Sequence, residues 1–196
     1  MSPTRPSDPS WRDSCAVMGT ALLLRLWHLF EYSSWPTFRV PLMDARYHTE
    51  WAERVATGGG DAASFFRAPA YAYVLAGLRA LGCDLVWAPR WCQLVLGVVC
   101  VLLVHRLALR MTTRGFALFA GILAAILWVP IHHETELLLE TLFTAQLLLL
   151  TYLVNREDTC PGALASLGAG LLLGLAAITR PNALVWTPLL LWPIAR

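Results

Sequence analysis

Long apolar stretches alternate with short polar connections along most of the chain. A first run extends from Cys15 to Phe30 and is interrupted by Arg25; later runs cover Trp91–Leu109, Phe116–Val129, Leu137–Val154, Ala163–Ile178 and Leu184–Ile194. Backbone groups in hydrocarbon must be satisfied within their own segment, so each run is expected as a helix. The pattern predicts an all-α fold, a multi-pass transmembrane helix bundle with spans at about 14–32, 89–109, 115–130, 137–154, 163–179 and 183–195. Between 33 and 88 the pattern changes. Arg39, Asp44, Arg46, Glu50, Glu53 and Arg54 crowd the first half of this stretch, which reads as a long first loop outside the membrane. Within it Tyr47, His48, Trp51 and Val55 recur at helical spacing, predicting an amphipathic interfacial helix from Asp44 to Thr57. Pro69 to Leu81 predicts a second short helix. Residues 1–13, with Pro3, Pro6 and Pro9, read as a disordered tail.

Composition agrees with a membrane reading. Of 196 residues, 57% are hydrophobic and 14% charged, against roughly 45–50% and about 25% in soluble domains, and the mean hydropathy is +0.56. Disorder and coiled coil are excluded on the same grounds. All fifteen basic residues are arginine and the net charge is only +2, so nothing suggests nucleic acid. Cys15, Cys83, Cys92, Cys100 and Cys160 show no C-x-x-C spacing and read as small buried hydrophobes. Arg5, Arg12, Arg106, Arg110, Arg114 and Arg156 fall on one side if the N-terminus is cytoplasmic. The first loop, the turn 130–136 and the turn at Arg180 then share the opposite side. Trp35, Trp87, Trp91, Trp128, Trp186 and Trp192 stand near span ends, as an aromatic belt does.

Two polar clusters on that second side carry the candidate chemistry. One is Pro41 to Tyr47, centred on Asp44; the other is Pro130 to Glu136, with Glu140 one turn further on. Packed spans would bring both together with Arg67 and Arg180. A part-shielded carboxylate there can act as general base on a hydroxyl, and arginines hold phosphate bidentately. Asp44 has a second reading as the N-cap of the helix that follows. His132, His133 and Glu136 are either solvated turn residues or ligands of a divalent metal ion. Glu140 and Arg25 lie within apolar runs, where an unpaired charge costs a few kcal/mol. Arg25 is expected to pair with a carboxylate on another span or to meet a lipid phosphate. Arg180-Pro181 reads as a helix boundary. Gly168, Gly170 and Gly174 read as a close-packing stripe.

The order of these motifs resembles the N-terminal part of the membrane-embedded C-type glycosyltransferases, among them bacterial protein O-mannosyltransferase, aminoarabinose transferase and lipopolysaccharide-core sugar transferase. The resemblance rests on Arg25 in the first helix, Pro41-x-x-Asp44-x-x-Tyr47, Phe66-Arg67-Ala68-Pro69-Ala70-Tyr71, the run from Arg90 to Gly97, the run from Glu136 to Phe143, and Gly174 to Pro181. It implies an inverting transfer of sugar from a polyprenyl-phosphate donor to a lipid, glycan or protein acceptor at the outer face of a bacterial inner membrane. Asp44 matches the acidic residue such enzymes use as base. Arg67 corresponds to a position near the donor phosphate, with Tyr47, Glu140 and Arg180 as further substrate contacts. Ala45 stands where many relatives carry a second acidic residue. Residues 14–196 are thereby expected to be the N-terminal part of a longer glycosyltransferase domain. The rival classes are a transporter or lipid-flippase segment, which expects midplane charges and inverted repeats, and a non-catalytic membrane subunit.

Overall fold

The computed structural model describes residues 11–59, 67–155 and 163–188. Among these the structure is helical, with no strand. Helix α1 runs Trp11–Tyr32, followed by a single turn, α2 (Pro36–Arg39), and then by α3 (Met43–Ala56) and α4 (Ala70–Ala80). Next come α5 (Ala88–Met111), α6 (Arg114–Ile126), α7 (Trp128–Thr135), α8 (Glu140–Val154) and α9 (Ala163–Thr179), and a 3-10 segment Pro181–Trp186. Residues 11–13, inside the stretch expected as tail, are already helical. The first-turn carboxylate Asp13 accepts two hydrogen bonds from Arg114, at 2.6 and 2.9 Å, which ties the start of α1 to the start of α6. The expected last span, 183–195, lies mostly outside the described residues.

Most of the predicted spans take a different form. Among the described residues only α5 is by itself long and apolar enough to cross a bilayer; α6 and α7 together pass the same test but bend by 44°, and α8 and α9 are apolar but shorter. Pro130 explains the bend. Its ring excludes the carbonyl of Ile126 and it has no N–H to donate there, so Leu127 turns to extended geometry (φ −60°, ψ 118°) and the helix restarts at Trp128. His132, His133 and Glu134 therefore stand on a helix and not in a turn. The next helix starts at Glu140 and not at Leu137, so Glu140 is a first-turn acid, where the helix dipole favours a negative charge.

α5 is the central element, packed against α1, α6, α7 and α8. The core between α1, α5 and α6 is built from Val17, Ala21, Leu29, Leu94, Val98 and Ala125. Small residues allow the close approach: a methyl group on Gly121 would press at about 3.0 Å on His105 and Val17. Gly168, Gly170 and Gly174 have open space where a side chain would stand, so the expected packing stripe on α9 is not formed among the described residues. Of the cysteines described, only Cys100 is buried; Cys15 and Cys92 are exposed.

The interfacial helices form a small layer of their own. α3 packs lengthwise on α4 through Ala52, Tyr71, Leu75 and Ala76, and Leu139 and Leu142 at the start of α8 pack against this cluster. That contact sets the first loop beside the α7–α8 connection. The two ends of the bundle are distinct in consequence. Arg114 meets the start of α1 at one end, where Arg110 also donates to the carbonyls of Tyr152 (2.8 Å) and Asn155 (3.0 Å) at the end of α8. Asp44, Glu136, Glu140 and Arg180 gather at the other.

Candidate functional site

The centre of the site is Asp44. It occupies the first turn of α3, but the N-cap position belongs to Leu42 and no side chain caps the helix, so the capping role is not the one Asp44 plays. Its carboxylate instead meets the guanidinium of Arg67 at 2.5 Å, with both side chains partly exposed, 50% and 35%. The arginine holds the Asp44 carboxyl below the ordinary aspartate range, chiefly by hydrogen bonding. Arg67 also lies over the ring of Tyr47, 5.3 Å from its centroid. Met43, directly before the carboxylate, is left-handed at φ 46°. A bulky side chain in that region costs about 1–2 kcal/mol, and this one stands 90% exposed.

A second ion pair lies at the same end of the bundle. Glu140 at the start of α8 lies 3.7 Å from Arg180, which follows the last residue of α9 in extended geometry (φ −154°, ψ 111°). Pro181 is the reason for the break: the residue before a proline is pushed out of the helical region. His48 lies between the pairs. It is 1% exposed and packs edge-on against Tyr71, ring centroids 5.2 Å apart. Burial and Arg67 push its pKa down, while Asp44 and Glu140 pull it up, which places all three charges within electrostatic reach of one imidazole. Tyr71 is buried too, and burial raises its hydroxyl well above the usual tyrosine range. Thus Asp44, Tyr47, Arg67, Glu140 and Arg180, singled out in the sequence, do converge. His48 and Tyr71 are additions. Their signals in the sequence are the placement of His48 one turn after Asp44 and of Tyr71 at the end of the Phe66–Tyr71 motif.

The histidines of α7 go elsewhere. His132 stacks with Trp128 (6.4 Å, 11° between planes) and approaches His28. Glu136 accepts a 2.5 Å hydrogen bond from Tyr32. Among the described residues no group of three His, Cys, Asp or Glu side chains is arranged to hold a metal ion, and His132, His133 and Glu136 do not come together as one. The buried acid in this segment is Glu134. It meets Arg25 at 2.9 and 2.7 Å, side chains 4% and 2% exposed, so Arg25 has its carboxylate partner on another helix. This pair lies on the wall of a mainly apolar cleft of about 340 Å3 between α5, α6, α7 and α8, whose lining also includes His133, Glu140 and Thr144. Glu140 therefore belongs both to the ion-pair cluster and to the cleft.

Chemically, the arrangement offers a carboxylate that can accept a proton, two guanidinium groups that can hold a phosphate, and an apolar cleft whose lining includes Glu140. The sequence model of the family described as dolichyl-phosphate-mannose-protein mannosyltransferase matches residues 66–196, about two thirds of the chain. That span contains Arg67, Glu140 and Arg180 and leaves Asp44 outside it. No curated protein and no solved structure matches the chain.

Proposed function

Because the chain belongs to the dolichyl-phosphate-mannose-protein mannosyltransferase family, we propose that it serves a membrane glycosyltransferase that moves a sugar from a polyprenyl-phosphate donor to a hydroxyl of a lipid, glycan or protein. The observation that carries this reading is the pairing of Asp44 with Arg67 beside Glu140 and Arg180 at one end of the helices. In the reaction Asp44 takes the proton of the acceptor hydroxyl as its oxygen bonds to the anomeric carbon. The bond from that carbon to the phosphate oxygen breaks, and the electron pair leaves on the phosphate. Arg67, with Arg180 as a second cation, neutralises the charge developing there. Attack opposite the departing phosphate inverts the anomeric centre. The apolar cleft that Glu140 helps to line would take the phosphate-proximal isoprene units of the donor.

The orientation follows from the same reading. Arg12, Arg106, Arg110 and Arg114 face the cytoplasm of a bacterial inner membrane, and the first loop with Asp44 faces outward, in a bundle that crosses several times. The test is transfer of radiolabelled sugar from a polyprenyl-phosphate donor by membranes carrying the full reading frame. Asp44→Asn should abolish transfer while the protein still inserts at the parent level. Parent-like turnover in that variant overturns the role of Asp44.

A further inference from the structure

The base and the phosphate-binding arginine of the proposed reaction are paired with each other. This is an odd arrangement for two groups that act on different substrates. A carboxylate neutralised by a guanidinium is a poor proton acceptor, and one face of it is occupied. Three features of the contact favour its opening. First, both partners are partly exposed, so an anion approaching from outside reaches the guanidinium without unpacking the core. Second, Arg67 has an independent seat over Tyr47, which stands on the same face of α3 three residues beyond Asp44; the arginine can release the carboxylate and keep its place. Third, Asp44 lies in the first turn of α3, where the free amides and the dipole of the helix offset a carboxylate left without its cation. The neighbouring cation, Arg180, is engaged by Glu140, and the neighbouring imidazole, His48, is buried.

We infer that the Asp44–Arg67 contact is a latch opened by a phosphate ester: Arg67 transfers its hydrogen bonds from the carboxylate to the incoming phosphate, and Asp44 becomes a competent base only then. The inference rests on the proposed transfer reaction. It adds an order of events, because the donor must bind before an acceptor hydroxyl finds a base. An acceptor arriving first meets a neutralised carboxylate, and a stray hydroxyl is not activated in the absence of donor.

The test needs no turnover. The full chain is labelled with [γ-13C]aspartate in detergent micelles, and the Asp44 carboxyl signal is assigned by its loss in Asp44→Asn. Its titration is then followed with farnesyl phosphate, with farnesol, and with inorganic phosphate at the same concentration. Farnesyl phosphate should raise the midpoint by about one pH unit, the size of effect expected when an opposite charge leaves a carboxylate, and farnesol should leave it in place. An equal rise with inorganic phosphate supports the latch and assigns the key to phosphate alone; a rise with the lipid ester only assigns it to the membrane-borne donor. Arg67→Gln should show the raised midpoint without any ligand. A midpoint that farnesyl phosphate does not move, or an Arg67→Gln protein that titrates like the parent, overturns the latch. Neither result touches the role of Asp44 in transfer, which the Asp44→Asn assay decides separately.

Discussion

Arg25 and Glu134 are both buried among the helices, and each is the reason the other is tolerated. An isolated arginine at a span centre costs about 2.5–3.5 kcal/mol. Here the guanidinium meets Glu134 through two nitrogens and also reaches the carbonyl oxygens of Ala21 and Ala125, both at 3.3 Å. The cost of an unpaired arginine could be read from the sequence, and so could the need for a partner. The identity of the partner could not, since it depends on how α1 packs against α7, more than a hundred residues later. Removing one member of a buried pair leaves the other uncompensated, an effect of about 3–5 kcal/mol. Glu134→Met and Arg25→Met should therefore each lower the detergent melting temperature sharply, whereas the double replacement Arg25→Met with Glu134→Met should recover most of the loss. A melting series by intrinsic tryptophan fluorescence checks this. Losses that simply add in the double variant would mean that the two side chains are not coupled. Asp44 illustrates the same limit from the other side. Its position at a helix start was legible, but a sequence cannot distinguish a capping carboxylate from one turned toward an arginine 23 residues away.

At the scale of elements, the periodicity located α3, α4, α5 and α9 almost to their ends, because long apolar or amphipathic runs dominate local preference. It did not reveal α7: the segment expected as a turn at 130–136 is helical, and Pro130 sits inside its first turn. A proline near the start of a helix needs no N–H of its own, so the chain breaks once at Leu127 and resumes as α7. The consequence is functional, for the 44° bend carries Glu134 inward to Arg25 and leaves His133 on the cleft. Gly97 on α5 is the counterpart of that bend. A methyl group built on it would collide with the Glu134 carboxyl group. The glycine in the Arg90–Gly97 run is thus required by the approach of α7, and packed interiors give way poorly to even one added carbon. Gly97→Ala should displace α7, reduce stability by about 1–3 kcal/mol, and open the Arg25–Glu134 pair. Gly168→Ala on α9, where the added methyl group meets nothing, should leave stability unchanged or slightly raised. Equal melting temperatures for the two variants would show that α7 does not press on Gly97.

For the molecule as a whole, the decisive feature is that its two ends differ in charge and in content. Asp13, Arg110 and Arg114 lie at one end, with the closing bonds to α8. The ion pairs Asp44–Arg67 and Glu140–Arg180 lie at the other. The sequence supplied both groups, and arginine asymmetry already divided them, but their clustering depends on α3 and α4 lying against the start of α8, a contact between separate amphipathic faces that carries no local signal. If the bundle sits in a membrane as proposed, the division becomes a statement about sidedness. In a variant retaining only Cys83, in the connection between α4 and α5, a membrane-impermeant maleimide added to intact cells should label the protein. In a cysteine-free variant carrying Thr113→Cys, between α5 and α6, the same reagent should label only after the membrane is permeabilised. The reverse pattern would put Asp44 and both arginine pairs on the cytoplasmic surface, away from an acceptor on the outer face. It would invert the assignment of the two ends while leaving the helix packing intact, because the internal contacts that bring Asp44, His48 and Glu140 together do not depend on which side of the bilayer they face.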